Sequence, residues 1–306
     1  MVIKENRTNM IRNIKTILIL LVVALSATAC FKPRDYDYSK WYADPTGGNA
    51  GRTIKVMSFN IYSAHLGEGE TSWEYRRPAV KAMLAAQSPL VMGTQECDFI
   101  QRKNILEDDP RYAAIGIDLN GPTEECEECT VFYMKDSIEV VSHATFYLSS
   151  TPDTPSFLPG TTHYRVCTWG KMRLKKDGKE FYFFDSHIEY RAEQLRQPQM
   201  DVILAQIKEI NSEGLPMLLL GDYNTDEDDS IFNGIKGYGF KSCRLDAAVG
   251  DSHKTHNNFT SSGQRRIDHI FYKGFSGVQR FTTDRTHYEG VVCISDHYPV
   301  WTIVKF

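Results

Sequence analysis

Met217-Leu218-Leu219-Leu220-Gly221-Asp222-Tyr223-Asn224 sets four aliphatic residues directly before a glycine, a carboxylate and a carboxamide. A short apolar run bounded by glycine reads as a buried strand. The glycine lets the backbone turn where the strand ends. Asp222 and Asn224, two apart, fall on one side of a chain that stays extended. A carboxylate there can take a proton from water while the carboxamide fixes the water's orientation, as in-line attack on phosphorus requires. The competing reading is an Asx-rich loop, since Asp226-Glu227-Asp228-Asp229 follows closely.

The same layout recurs on both sides of this segment. Ser58-Phe59-Asn60 ends the alternating run that starts at Ile54, Gln95-Glu96 ends Leu90 to Thr94, and Ser186-His187 ends Glu180 to Asp185. Ser295-Asp296-His297 precedes a last apolar run, Tyr298 to Val304. If the first two strands are neighbours, Asn60 and Glu96 share an oxygen-rich pocket. Mg²⁺ favours such a setting, with one or two carboxylates, retained waters and substrate phosphate oxygens. Adjacent Asp296 and His297 suit a metal ligand and an electrostatic partner. Asp268, in Arg266-Ile267-Asp268-His269, is placed to orient the His297 imidazole. His187 suits a hydrogen bond to a non-bridging phosphate oxygen. The remaining histidines (65, 143, 163, 253, 256 and 287) lack such surroundings and read as surface or loop residues.

Trp73 to Gln87 and Ala192 to Ile210 carry helical spacing, the second with a start or kink near Pro198. Strands are expected over 130–134, 138–148, 165–174 and 180–186, with Lys175-Lys176-Asp177-Gly178-Lys179 as a hairpin turn, and over 266–272, 278–282 and 298–304. No internal repeat or second linker divides the body. One α/β domain over 53–306 is expected, with two packed sheets and helices outside. The chain has 306 residues, 42% hydrophobic and 24% charged, enough for a substantial core.

The first residues read differently. Lys4, Arg7, Arg12 and Lys15 precede nine apolar residues, Ile17 to Leu25, then Ser26-Ala27-Thr28-Ala29 and Cys30. That is a secretory leader with an apolar stretch too short for a comfortable membrane span. Residues 31–52, with Pro33, Pro45 and Gly47-Gly48, read as a tether. Net charge is −4 with this basic leader included, so the body is more acidic still. An acidic body argues against tight non-specific nucleic-acid binding, which needs clustered Lys and Arg. Cys126 and Cys129, inside Glu124-Glu125-Cys126-Glu127-Glu128-Cys129, are either a local disulfide or two free thiols.

The ordered set of motifs resembles the endonuclease/exonuclease/phosphatase superfamily, also described as deoxyribonuclease I-like, over residues 54–306. The resemblance implies a four-layer α/β sandwich, two mixed β-sheets packed face to face with helices outside, and Mg²⁺- or Mn²⁺-dependent hydrolysis of phosphate esters. Carried over by position, it implies Glu96 as the main metal ligand with Asn60 and Asp296 near the metal. Asp222 and Asn224 would handle the attacking water, His187 and His297 the phosphate, and Asp268 the orientation of His297. Cys30 after small residues resembles a bacterial lipoprotein signal, which implies a lipid-anchored protein of the cell envelope, periplasmic or at the surface. Exported members of the superfamily are the most similar, through Thr168-Trp169-Gly170-Lys171 and a basic residue at Arg165 that would contact phosphate. Two departures bear on substrate choice. His187-Ile188-Glu189-Tyr190 stands where that branch reads His-Leu-Asp-His, and the acidic stretch 118–130 replaces a Gly-rich loop. The expected partner is a phosphorylated small molecule, nucleotide or lipid head group. A secreted nuclease, a phospholipase- or sphingomyelinase-like phosphodiesterase and a non-catalytic binding protein are the alternatives.

Overall fold

The computed structural model describes residues 53–116, 128–161 and 163–306, with Glu128 described by its backbone alone. The leader, Cys30, the tether, Thr162 and most of the acidic stretch, Cys126 included, lie outside the described residues. The described strands are β1 (Thr53–Asn60), β2 (Val91–Cys97), β3 (Tyr112–Ile115), β4 (Glu128–Met134), β5 (Ile138–Tyr147), β6 (Val166–Leu174), β7 (Glu180–His187), β8 (Met217–Asp222), β9 (Lys241–Ser242), β10 (Ala247–Val249), β11 (Asp268–Lys273), β12 (Gly277–Thr283) and β13 (Val300–Lys305). They form a seven-stranded sheet in the order β10-β12-β13-β1-β2-β4-β3 and a six-stranded sheet in the order β5-β6-β7-β8-β11-β9. Each sheet is mixed: β1 and β2 pair in parallel, as do β7 and β8, while most other neighbours are antiparallel.

Side-chain alternation explains the layering. Ile54 and Val56 of β1, Phe181 and Phe183 of β7, Leu218 and Leu220 of β8 and Ile270 of β11 fill the layer between the sheets. Their alternate neighbours face outward. Met57 and Phe59 meet Ala79, Val80, Met83 and Leu84 of the helix Trp73–Gln87. Tyr182, Phe184, Met217 and Leu219 meet Met200, Ile203 and Ile207 of the helix Arg196–Ile210. A buried side chain of this size contributes about 1.5–3 kcal/mol, so these layers supply the main driving force.

Several elements go beyond the sequence expectation, among them β3, β9 and β10. A third helix, Phe99–Asp108, follows β2; Asp98 Oδ1 accepts from Gln101 N at 2.9 Å and Gln101 Oε1 accepts from Asp98 N at 3.1 Å. That reciprocal cap was readable as Asp-x-x-Gln, but the weakly periodic helix behind it was not. The later helix begins at Arg196 after a 3₁₀ turn, in line with the expected start near Pro198, which sits in the first turn, where it costs little.

Candidate active site

The inward-facing alternation does not stop where the core ends. Continuing Ile54, Val56 and Ser58 gives Asn60; continuing Phe181, Phe183 and Asp185 gives His187; continuing Leu218 and Leu220 gives Asp222; continuing Ile270 back along β11 gives Asp268. The cleft is therefore the last layer of the core, with polar residues in place of apolar ones. Both parallel pairs end here, since Asn60 pairs with Gln95 and His187 with Asp222. Asp222 in turn lies opposite Asp268.

Gly221 makes the β7–β8 approach possible. At φ 150° it has no Cβ, and one built there would lie 1.8 Å from Ser186 O. The glycine thus serves close packing and not the turn expected of it. Asp222 remains in strand, and the turn comes at Asn224, which adopts φ 52°. Asn224 therefore does not reach the cleft by extended alternation. Its N–H donates to Asp222 Oδ1 at 2.9 Å, and its amide nitrogen donates to Ile188 O at 3.1 Å and lies 3.3 Å from His187 Nε2. Glu96 also breaks the alternation. The register of β2 against β4 shifts between Thr94 and Cys97, and Glu96 takes φ 56°. This twist delivers its carboxylate to the cleft, where Asn60 Nδ2 donates to Glu96 Oε1 at 2.9 Å and to Asp222 Oδ2 at 3.1 Å. Asn60 presents its nitrogen to both carboxylates while its oxygen accepts from Tyr62 N at 3.1 Å. It is an organiser of the two acids in this arrangement.

With Asp222 Oδ1 held by Asn224, Oδ2 is the cleft-facing atom, 3.6 Å from His187 Nε2 and 3.7 Å from His297 Nε2. His297 Nδ1 lies 2.8 Å from Asp268 Oδ2, a buried carboxylate–imidazole pair. Burial pushes the Asp222 carboxyl up to about 6, against the opposing pull of His297. Burial also holds His187 well below the usual histidine range, with Arg165 and His297 adding to the effect. For His297 burial works downward, but Asp268 and Asp222 together raise it well above the ordinary value. These opposite shifts favour the neutral form of His187 and the protonated form of His297.

Asp296 stands beside these groups. Ser295 Oγ donates to Asn60 O at 2.7 Å and lies 3.2 Å from Asp296 Oδ1, tying the last loop to β1. Among the described residues, two groups of three donors lie close enough together, within 4.8 Å, that they could hold an ion: Asp222, Asp268 and His297, and His256, Asp296 and His297. In the first, Asp268 and His297 are already hydrogen-bonded to each other. His256 corrects the expectation that it is a surface or loop residue, because its ring packs edge-on against His297 with centroids 4.9 Å apart. Nothing in its local sequence signals this; the contact comes from the long-range pairing of residues 256 and 297.

Arg165 lies at the other wall. It is 7% exposed, its Nε has no hydrogen-bond partner among the described residues, and Glu189 Oε2 is 3.9 Å away. The departure at Glu189 and Tyr190 has a physical consequence. Glu189 is buried, Gln199 and Arg196 hold its backbone, and Tyr190 sets its ring 5.6 Å from the Arg165 guanidinium. Arg76 is a further residue the sequence did not single out. Buried without a carboxylate on its guanidinium hydrogen bonds, it donates to Ile61 O, Tyr62 O, Thr71 O and Ile294 O and so holds the loops carrying Asn60 and Asp296. Cys129 is a buried free thiol.

The sequence profile of the Endonuclease/Exonuclease/phosphatase family matches residues 57–297. A family protein of that description from Bacteroides thetaiotaomicron is 28% identical and superposes with a TM-score of 0.77, over 84% of this chain and 98% of the other. The mannosyl-6-phosphatase of Bacteroides thetaiotaomicron is also 28% identical, with a TM-score of 0.75, over 83% of this chain and all of the other. An uncharacterized protein of Acanthamoeba polyphaga mimivirus is 24% identical over 82% of this chain and its own full length.

Proposed function

The chain belongs to the endonuclease/exonuclease/phosphatase family, and on that premise we propose that it is a Mg²⁺- or Mn²⁺-dependent phosphoesterase of small phosphorylated molecules, a sugar phosphomonoester first among them. The observation that carries the reaction is Asp222 Oδ2, a buried carboxylate oxygen set between Asn60, His187 and His297. The sugar monoester rests on the likeness to the mannosyl-6-phosphatase, and the small size of the substrate on the acidic body.

The donor chemistry fits a hard cation. Glu96 and Asp296 are half-buried carboxylates, and both act electrostatically on Tyr62 and Arg76, so they share one neighbourhood. They would hold the ion with Asn60 beside them, and the ion supplies charge neutralisation on the phosphate oxygens. The chain's own residues do the rest. Asp222 Oδ2 takes the proton of the attacking water as the water oxygen bonds to phosphorus and the phosphorus–oxygen bond to the sugar breaks, the departing alkoxide taking a proton from solvent. A carboxyl near 6 is ionised at neutral pH yet basic enough for this. Asn224 fixes the other carboxylate oxygen and the loop. Protonated His297, steadied by Asp268, donates from Nε2 to a phosphate oxygen. His187 is neutral before substrate arrives, and the phosphate's charge favours its protonated, donating form. Arg165 supplies a fixed cation at the phosphate wall.

Lipidation at Cys30 and display in the cell envelope complete the proposal. They are supported by the leader sequence alone, its basic start, nine apolar residues and small residues before Cys30. A soluble form starting near residue 53 should release phosphate only with Mg²⁺ or Mn²⁺. Asp222→Ala and His297→Ala should remove that activity while the circular dichroism spectrum stays native. Metal-independent turnover surviving both changes contradicts the assignment.

A further inference from the structure

One imidazole beside the cleft, His256, has no part in the reaction as described, and it stands next to two groups that do, Asp296 and His297. Asn257 N and Asn258 N donate to Asp296 O at 2.7 and 3.1 Å, and Tyr298 N donates to Thr255 O at 2.8 Å. This antiparallel bridge fixes His256 against His297. His256, Asp296 and His297 each offer one donor atom, all within 4.8 Å of one another. His256 Nδ1 is buried and has no hydrogen-bond partner among the described residues. On His297, Asp268 occupies Nδ1, leaving Nε2 for a ligand. A carboxylate on the far nitrogen is the usual way a protein orients a metal-binding imidazole and raises its basicity.

Two imidazoles and one carboxylate are a poor cage for Mg²⁺, which takes oxygen donors, and a good one for Zn²⁺. Three donors within 4.8 Å of one another need only a modest inward movement of their side chains to bind one ion. Zinc brings two positive charges to Asp268 and Asp222, the two carboxylates that flank His297.

We propose that His256, Asp296 and His297 form a zinc-binding site whose occupation inhibits the enzyme, by withdrawing His297 Nε2 from the phosphate and Asp296 from the catalytic ion. The binding stands on this geometry alone, while the inhibition rests on the phosphoesterase reading above.

The test is calorimetric titration of ZnCl₂ into the metal-stripped full chain, for the wild type, His256→Ala and His256→Asn. One zinc per wild-type chain is expected, weakened about 100-fold or more in both variants. X-ray absorption of the wild-type complex, which needs no variant, should show two imidazole ligands at about 2.0 Å. Turnover with Mg²⁺ should fall on adding zinc, recover with a chelator, and resist zinc in the variants. Unchanged zinc affinity in both variants, or a zinc spectrum without imidazole, overturns the site. Zinc bound through His256 with no loss of turnover overturns the inhibition. Absence of turnover with any phosphoester counts against the proposed function instead, and the titration still decides the site.

Discussion

The two sheets bring different chemistry to one cleft. The six-stranded sheet supplies His187, Asp222 and Asp268, all buried and all continuing the core's own alternation. The seven-stranded sheet and the loop entering it supply Glu96 and Asp296, both half-buried, with Glu96 reaching the cleft through a twisted backbone at φ 56°. A hydrated cation needs the open side, because it keeps some of its waters. A base that must abstract a proton near neutrality needs the closed side, because desolvation raises its carboxyl. His297 joins the halves: it enters with the seven-stranded sheet and pairs with Asp268 of the other. Beneath them lies a second bridge, where Gln95 Nε2 donates to Asp185 Oδ1 at 2.5 Å across the sandwich.

If this division is right, variants on the two sides should fail differently. The largest effect is expected on the closed side, where Asp222→Asn should lower kcat by about 10³-fold or more, with metal affinity little changed. The same change should stabilise the folded chain. The Asp222 carboxyl is raised in the native state, so the wild type loses stability as pH rises from the unfolded value near 3.8 to about 6. Asp222→Asn should therefore melt higher at pH 8, by on the order of 1–3 kcal/mol, and the gain should vanish near pH 3. A lower melting point at pH 8 would show that the buried carboxylate is compensated.

Glu96→Gln on the open side should instead raise the metal concentration needed for half-maximal activity by about 10–100-fold, with kcat partly restored at saturating metal. Loss of kcat that no metal concentration restores would place Glu96 with the proton-handling group. Asp185→Ala, which strands a buried amide donor, should cost about 1–3 kcal/mol in a denaturant titration. Burial raises the Asp185 carboxyl well above the carboxylate range, so Asp185→Asn should be neutral or stabilising at pH 8 and lose any gain towards pH 4. The smallest expected effect is Tyr190→Ala, a fewfold rise in KM at most, since its ring meets Arg165 at the rim.

Much of this was legible before any coordinates. Apolar alternation marked the strands, and polar residues at the ends of buried runs marked Asn60, His187 and Asp222, because strand and cleft obey the same period of two. The Asp268–His297 pairing followed from residue type. What was not legible depended on departures from regularity or on distant pairing. The left-handed conformations of Glu96 and Asn224 re-aim their side chains, and non-glycine sequence does not announce them. His256 and Arg76 have bland neighbours in sequence and gain their meaning only from residues 297, 61 and 294. The helix Phe99–Asp108 has a legible cap but little amphipathic pattern, since only Gln101 and Ile105 are buried.

Asp222, as proposed, directs water onto the phosphorus of a metal-bound phosphoester. Turnover of a sugar phosphate in H₂¹⁸O, followed by mass spectrometry of both products, tests this most directly. One ¹⁸O in inorganic phosphate and none in the alcohol, dependent on Mg²⁺ or Mn²⁺ and abolished in Asp222→Asn, is the predicted result. Label in the alcohol, or metal-independent labelling that persists in Asp222→Asn, would contradict it.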